Sequence, residues 1–194
     1  MKKDKLIVYL AVTMLGGAWL LFNTGIGKAE PFTLKSSAFK DGEMMPKVYA
    51  AENEPDRICG GKNISPPFAW SNAPKGTKSF AILMWDQEGH AGEGVSHWIA
   101  YDLPADMTSI AEGEASQPSK KFVSGAANRD TRKYRGPCVT KDELPHHYEI
   151  TVMALDIAPG TLKPGLTREA FFETIKGRSL AGVSIIGIMG RNKD

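Results

Sequence analysis

With 194 residues, the chain is long enough for one domain with a sizeable core and too short for two large ones. Hydrophobic residues at 42% and charged residues at 24% exclude a disordered or collagen-like polymer. Lysine and arginine number 24 against 22 acidic residues, which excludes the basic surplus of a nucleic-acid binder, and 20 glycines with 12 prolines speak against a helical bundle.

The chain opens with a basic stretch, Met1-Lys2-Lys3-Asp4-Lys5, followed by an apolar run from Leu6 to Phe22 and the small-residue exit Gly27-Lys28-Ala29. This pattern predicts a secretory signal over residues 1–29, removed after Ala29, with a single domain over 30–194. An uncleaved anchor is the alternative, because the apolar run is at the short edge of a membrane span. Export to a periplasmic or extracellular compartment bears on the only two cysteines, Cys59 and Cys138. An oxidising environment favours joining them, closing a loop worth about 4 kcal/mol in chain entropy. Their spacing lacks the paired C-x-x-C units of a zinc site, so no metal is expected there.

Four strands and one helix stand out in chain order. Phe80–Trp85, ending at Asp86, is almost wholly apolar, as a strand buried on both faces would be. His97–Leu103, closed by Pro104, is the next. A long polar stretch, Ala105–Gly136, follows and carries Arg129, Arg132, Lys133 and Arg135, which read as a solvated loop, with contact to an anionic partner as the alternative. Tyr148–Leu155 is β-branched and alternating, and Ser179–Met189 is a glycine-interrupted closing strand. Between these last two, Thr167 caps a helix that places Phe171, Phe172 and Ile175 on one face and ends at Gly177. The result is a mainly β domain with long loops and a late helix.

All four histidines fall in two windows: His90 and His97 after the first strand, His146 and His147 at the head of the third. If those strands are neighbours, the windows meet at one end of a sheet. Alternation then points His146 and Tyr148 to one face and His147 to the other. With Asp86 and His97 they would form a pocket of one carboxylate, two imidazoles and a phenol, able to hold an anion or an ammonium group. The plainer alternative is that these side chains satisfy one another or the backbone.

Several blocks then resemble the phosphatidylethanolamine-binding protein family, in particular its bacterial branch described as Raf kinase inhibitor-like. They are Lys62-Asn63-Ile64-Ser65-Pro66-Pro67-Phe68-Ala69-Trp70, then Pro74–Ala81, Asp86, His97-Trp98, Tyr134-Arg135-Gly136-Pro137-Cys138, His146-His147-Tyr148 and Ala154-Leu155-Asp156. The resemblance implies antiparallel β-sheets with a few peripheral helices and a small anion pocket at Asp86, His97, His146 and Tyr148, beside a Gly136-Pro137 turn. It implies a phosphate-like anion or phospholipid head group as ligand and no cofactor.

Three departures reshape the expected rim. Asp86-Gln87-Glu88-Gly89-His90 lacks the family's two loop prolines, which frees the backbone and leaves Glu88 and His90 as rim candidates. Val95-Ser96 stands where an aromatic is usual before His97-Trp98, and Cys138-Val139-Thr140 replaces Cys-Pro-Pro. His90 either adds a donor at the mouth or sits in solvent.

The leading expectation is therefore an exported binder of a small anion. The alternative is a protein-interaction module acting as a kinase or protease inhibitor. Catalysis is not expected, since no G-x-S-x-G elbow or ordered triad accompanies Ser96, Tyr148 and His97. A metal site from Asp86, Glu88, His90 and His97 has no recognised spacing.

Overall fold

The strand expected from the Phe80 run is β5 (Ser79–Asp86), and it is buried along almost its whole length because each face meets a different core. The computed structural model describes residues 30–52 and 57–190, so the segment read as a signal lies outside the described residues. Phe80, Ile82 and Met84 enter the larger core with Leu34, Phe68, Trp70 and Trp98. Ala81 and Leu83 enter a second core with Ile157, Leu162, Phe171 and Ile175. A strand with two apolar faces therefore reads as a continuous apolar run rather than an alternating one.

β5 lies inside a six-stranded sheet with β2 (Glu43–Met44), β6 (Val95–Pro104), β8 (Val123–Ser124), β10 (His146–Leu155) and β11 (Ser179–Met189), in the order β2-β11-β10-β5-β6-β8. Its long pairings are antiparallel, as expected. β2 instead joins β11 in parallel, with Gly187 and Ile188 opposite Glu43 and Met44. A smaller sheet of β1 (Thr33–Lys35), β4 (Phe68–Ser71) and β7 (Ser109–Ile110) contributes Leu34, Phe68, Trp70 and Ile110 to the larger core. The sheet-forming part of the chain is thus longer than the sequence suggests: β7 and β8 lie within the stretch read as loop. They are only two residues each, too short to leave a period in the sequence.

Helix α1 (Arg168–Thr174) begins as predicted, with the Thr167 hydroxyl accepting from the Ala170 amide at 3.3 Å. Phe171 and Ile175 are buried against the second core, but Phe172 is 37% exposed and does not share that face. Neighbouring helical residues are about 100° apart, so Phe171 and Phe172 cannot both point inward from so short a helix. Phe172 covers the Arg168 guanidinium instead, at 4.9 Å from its ring.

β6 carries two irregularities against β5. At the first, Phe80 and Ile82 face Leu103 and Ala100, leaving Tyr101 and Asp102 opposite Ala81 alone. Asp102 takes a left-handed φ of 59° there. Its buried carboxyl accepts the Gly160 amide through Oδ2, while Oδ1 has no hydrogen-bond partner among the described residues. Burial raises its pKa, only partly opposed by the Gly160 bond. A raised folded-state pKa costs no stability while both states are protonated, and the cost grows as pH rises past the unfolded value of about 3.9. Asp102→Asn keeps the acceptor and tolerates the left-handed backbone. It is expected to raise the melting temperature at pH 7 and leave it unchanged near pH 3. An equal shift at both pH values in thermal unfolding would contradict this origin.

Candidate anion site

The second irregularity places a functional side chain. Met84 faces Trp98 and Trp85 faces Ser96, so His97 is an extra residue in β6 with no partner in β5. A bulge of this kind re-aims the extra side chain, and here His97 lies beside Asp86 at the end of β5. On the other flank Asp86 faces Tyr148 of β10, and His146 is two residues before Tyr148 on the same buried face. His147, between them, points outward as alternation requires. The predicted meeting of the two histidine windows is therefore a matter of strand register.

Asp86 is the hub and is almost fully buried. Its Oδ1 accepts the backbone amides of Glu88 and Gly89, both at 3.0 Å, which turns the chain sharply without the expected prolines. Its Oδ2 accepts from His146 Nδ1 at 2.9 Å, and His97 Nε2 is 3.8 Å away. Burial pushes the Asp86 carboxyl up, but hydrogen bonds and positive charge from His97 and His146 outweigh it and hold the pKa below its ordinary value. Tyr148 is raised by burial and by the Asp86 carboxylate to which its hydroxyl bonds, so its phenol stays protonated.

The histidine tautomers follow from their partners. His97 Nδ1 is 2.9 Å from the Arg135 carbonyl, which can only accept, so Nδ1 carries the proton. The Arg135 amide returns a bond to the His97 carbonyl at 3.1 Å, tying the two segments together. His146 likewise spends its Nδ1–H on Asp86. In both rings Nε2 is the remaining nitrogen.

These groups line a cavity of about 120 Å³ together with Arg57, Gly89, His90, Val95, Asn128, Arg135, Cys138, Thr140 and Glu143. His90 is exposed at its mouth. Glu88 does not line it: its carboxylate accepts from His147 Nδ1 at 2.8 Å, on the outer face. Gly136 and Pro137 stand behind the wall that Arg135 and Cys138 form. The Gly136 amide donates to Asn63 Oδ1 at 2.7 Å, and a Cβ there would strike the Tyr49 carbonyl and the Ala50–Ala51 backbone. The glycine serves close backbone packing, and the Asn63 of the Ile-Ser-Pro-Pro segment positions the turn.

Sequence reasoning missed Arg57, Asn128, Thr140 and Glu143. Arg57 and Thr140 face each other where β3 (Arg57–Ile58) pairs with β9 (Val139–Thr140). The Cys59–Cys138 disulfide continues that register by one step, so the cysteine pair carried the signal for both residues. Arg57 Nη1 donates to the Cys138 carbonyl at 3.0 Å. Glu143 Oε2 lies 3.7 Å from His146 Nε2 and puts a second carboxylate at the cavity.

Fold and site together define a mainly β protein with a buried polar cavity at one end of its central sheet. The sequence profile described as Phosphatidylethanolamine-binding protein matches residues 35–190. A UPF0098 protein of Aquifex aeolicus is 34% identical over 173 residues, covering 89% of this chain and 94% of that one. The UPF0098 protein YbcL of Escherichia coli is 32% identical over 147 residues, covering 74% and 79%. The crystal structure of E. coli YbcL, described as a new member of the mammalian PEBP family, superposes with a TM-score of 0.74 at 25% identity over 83% of this chain and 99% of that one. The chain belongs to the phosphatidylethanolamine-binding protein family.

Proposed function

We propose that this protein is an exported binding protein that holds a phosphorylated or otherwise anionic small group in the cavity at Asp86, His97, His146 and Tyr148. The observation that carries this reading is that both imidazoles line the cavity with Nδ1 committed, so that Nε2 of each, 3.8 Å from Asp86 in His97 and 3.7 Å from Glu143 in His146, is the atom a ligand would meet. Arg57 and Arg135 balance the charges of Asp86 and Glu143, so each proton taken up by an imidazole makes the cavity positive. A phosphate oxygen would accept from protonated Nε2, and Glu143 offers an acceptor for an ammonium group on the same ligand. Phosphorylethanolamine or a phospholipid head group meets both requirements.

Binding without turnover is part of the proposal. A phenol held protonated is a poor nucleophile, and the buried Ser96 hydroxyl has no hydrogen-bonded base among the described residues. Export is supported by the character of residues 1–29 and by the disulfide, which belongs to oxidising compartments. No helix among the described residues is long and apolar enough to cross a membrane.

Calorimetric titration with inorganic phosphate and phosphorylethanolamine tests the reading. Saturable binding is expected, with an affinity loss of about tenfold or more in His97→Ala and in His146→Ala. Wild-type affinity in both variants would remove the cavity from the argument.

A further inference from the structure

Strand β11 pairs with β10 along its length, but its other side is covered only at one end. β2 joins it at Gly187 and Ile188. Just before that point the Ile186 amide donates to Asp41 Oδ1 at 2.7 Å, and the Ile186 carbonyl accepts the Gly42 amide at 2.8 Å. Ile186 therefore turns its backbone groups away from β10. Alternation turns those of Ser184 and Gly182 the same way, and nothing among the described residues hydrogen-bonds them there. β1 lies nearby but pairs with β4 alone.

Burial follows the same division. On the covered half the inward residues Ile185, Gly187 and Met189 are buried, whereas Ala181 and Val183 on the open half are only half-buried. Exposed edges are usually guarded by charged side chains or proline, and Ser179–Met189 holds neither. The two large exposed apolar side chains of the strand, Leu180 and Ile186, lie three residues either side of Val183.

We propose that the open edge of β11 is a dimer interface, on which a second copy of this chain lays its own β11 antiparallel about a two-fold axis at Val183. The register follows from the groups on offer. Gly182 of each copy faces Ser184 of the other, and both residues present an amide and a carbonyl, so each pair exchanges both of its bonds. Leu180 of each copy then comes beside Ile186 of the other, which covers both exposed side chains. The two ends also differ in charge: Lys176 and Arg178 precede the strand, whereas Asp41, Glu43 and Glu149 stand beside Ile186 and Gly187. Within one copy Arg178 pairs with Asp156, Lys176 with Glu173 and Glu43 with Lys40, all at exposed positions where such pairs are weak. A spacing symmetric about Val183 suits a second copy, because only an identical strand repeats it in reverse. Val183 is about 20 Å along the strand from Met189, which pairs with His146, so the interface lies away from the anion cavity and stands whatever that cavity binds.

Sedimentation equilibrium of the purified protein tests the interface, and a reversible monomer–dimer equilibrium is expected in the micromolar range. A Cβ at Gly182 would meet nothing closer than 3.9 Å, and Ser184 is exposed, so the monomer accommodates charged side chains at both. Gly182→Lys with Ser184→Lys sets like charges opposite each other and is expected to raise the dissociation constant about tenfold or more. Gly182→Glu with Ser184→Glu should do the same, and an equal mixture of the two variants should recover the dimer. Amide hydrogen exchange gives a reading on the wild type itself: Gly182 and Ser184 should exchange more slowly as the dimer forms. A wild type that stays monomeric, a dimer unaffected by the lysine pair, no recovery on mixing, or unchanged exchange at Gly182 and Ser184 would each overturn the interface.

Discussion

Asp86→Ala is expected to lower stability by about 3–5 kcal/mol and to abolish anion binding, the largest effect of any single side chain in the site. The alanine removes four connections at once. It orphans the Glu88 and Gly89 amides that close the turn, the Nδ1–H of His146, and the hydroxyl of Tyr148. The Gly89 amide and the His146 imidazole are buried, and the Glu88 amide is partly so. Asp86→Asn separates turn from charge. Its amide oxygen still accepts the two backbone bonds, but its nitrogen facing His146 forces that ring to the other tautomer. The asparagine variant is therefore expected to fold close to wild type while losing anion affinity. The pH dependence follows from the depressed carboxyl. A pKa lower in the folded than in the unfolded state gives stability that is present above about 3.9 and is lost as pH falls through the folded value. Wild type should lose stability across that acid window more steeply than Asp86→Asn. Chemical denaturation at pH 7 and pH 3 measures both statements, and parallel losses in the two proteins would show that the Asp86 charge is not the linked group.

The two kinds of information in the sequence had unequal reach. β5 and β10 were legible because burial imposes a pattern on residue type, continuous for a strand between two cores and alternating where one face is wet. The partition of His146 and Tyr148 from His147 followed from the same period, and the pairing of β10 with β5 then brought Tyr148 to Asp86. The exposure of Phe172 was not legible, because an aromatic at a helix surface reads as core until the cation beneath it is located. The bulge at His97 was equally hidden: one extra residue in a ten-residue strand leaves no mark on composition. Arg57 was concealed for a different reason. It belongs to a two-residue strand whose only long-range pointer is the cysteine beside it.

That pointer gives the second large expectation. Cys59→Ala with Cys138→Ala is expected to cost about 2–5 kcal/mol, because the bond closes a sequence separation of 79 residues and its loss returns that freedom to the unfolded chain. The same substitution should weaken anion binding by about tenfold even where the protein remains folded. Strands β3 and β9 pair over only two residues each, too few to hold an isolated ribbon in place. Cys138 itself lines the cavity, and the ribbon carries Arg57 and Thr140 to the same wall. Arg57→Gln separates the two effects: it should lower affinity to a similar degree while leaving the disulfide and most of the stability intact. Thermal unfolding with and without reductant reads the first quantity, and calorimetry well below the midpoint reads the second. Unaltered affinity in the double alanine variant would mean that the wall is held by Asn63, Gly136 and the Arg135–His97 bonds alone. A tenfold loss would show that the bond between Cys59 and Cys138 holds the cavity wall in its binding geometry.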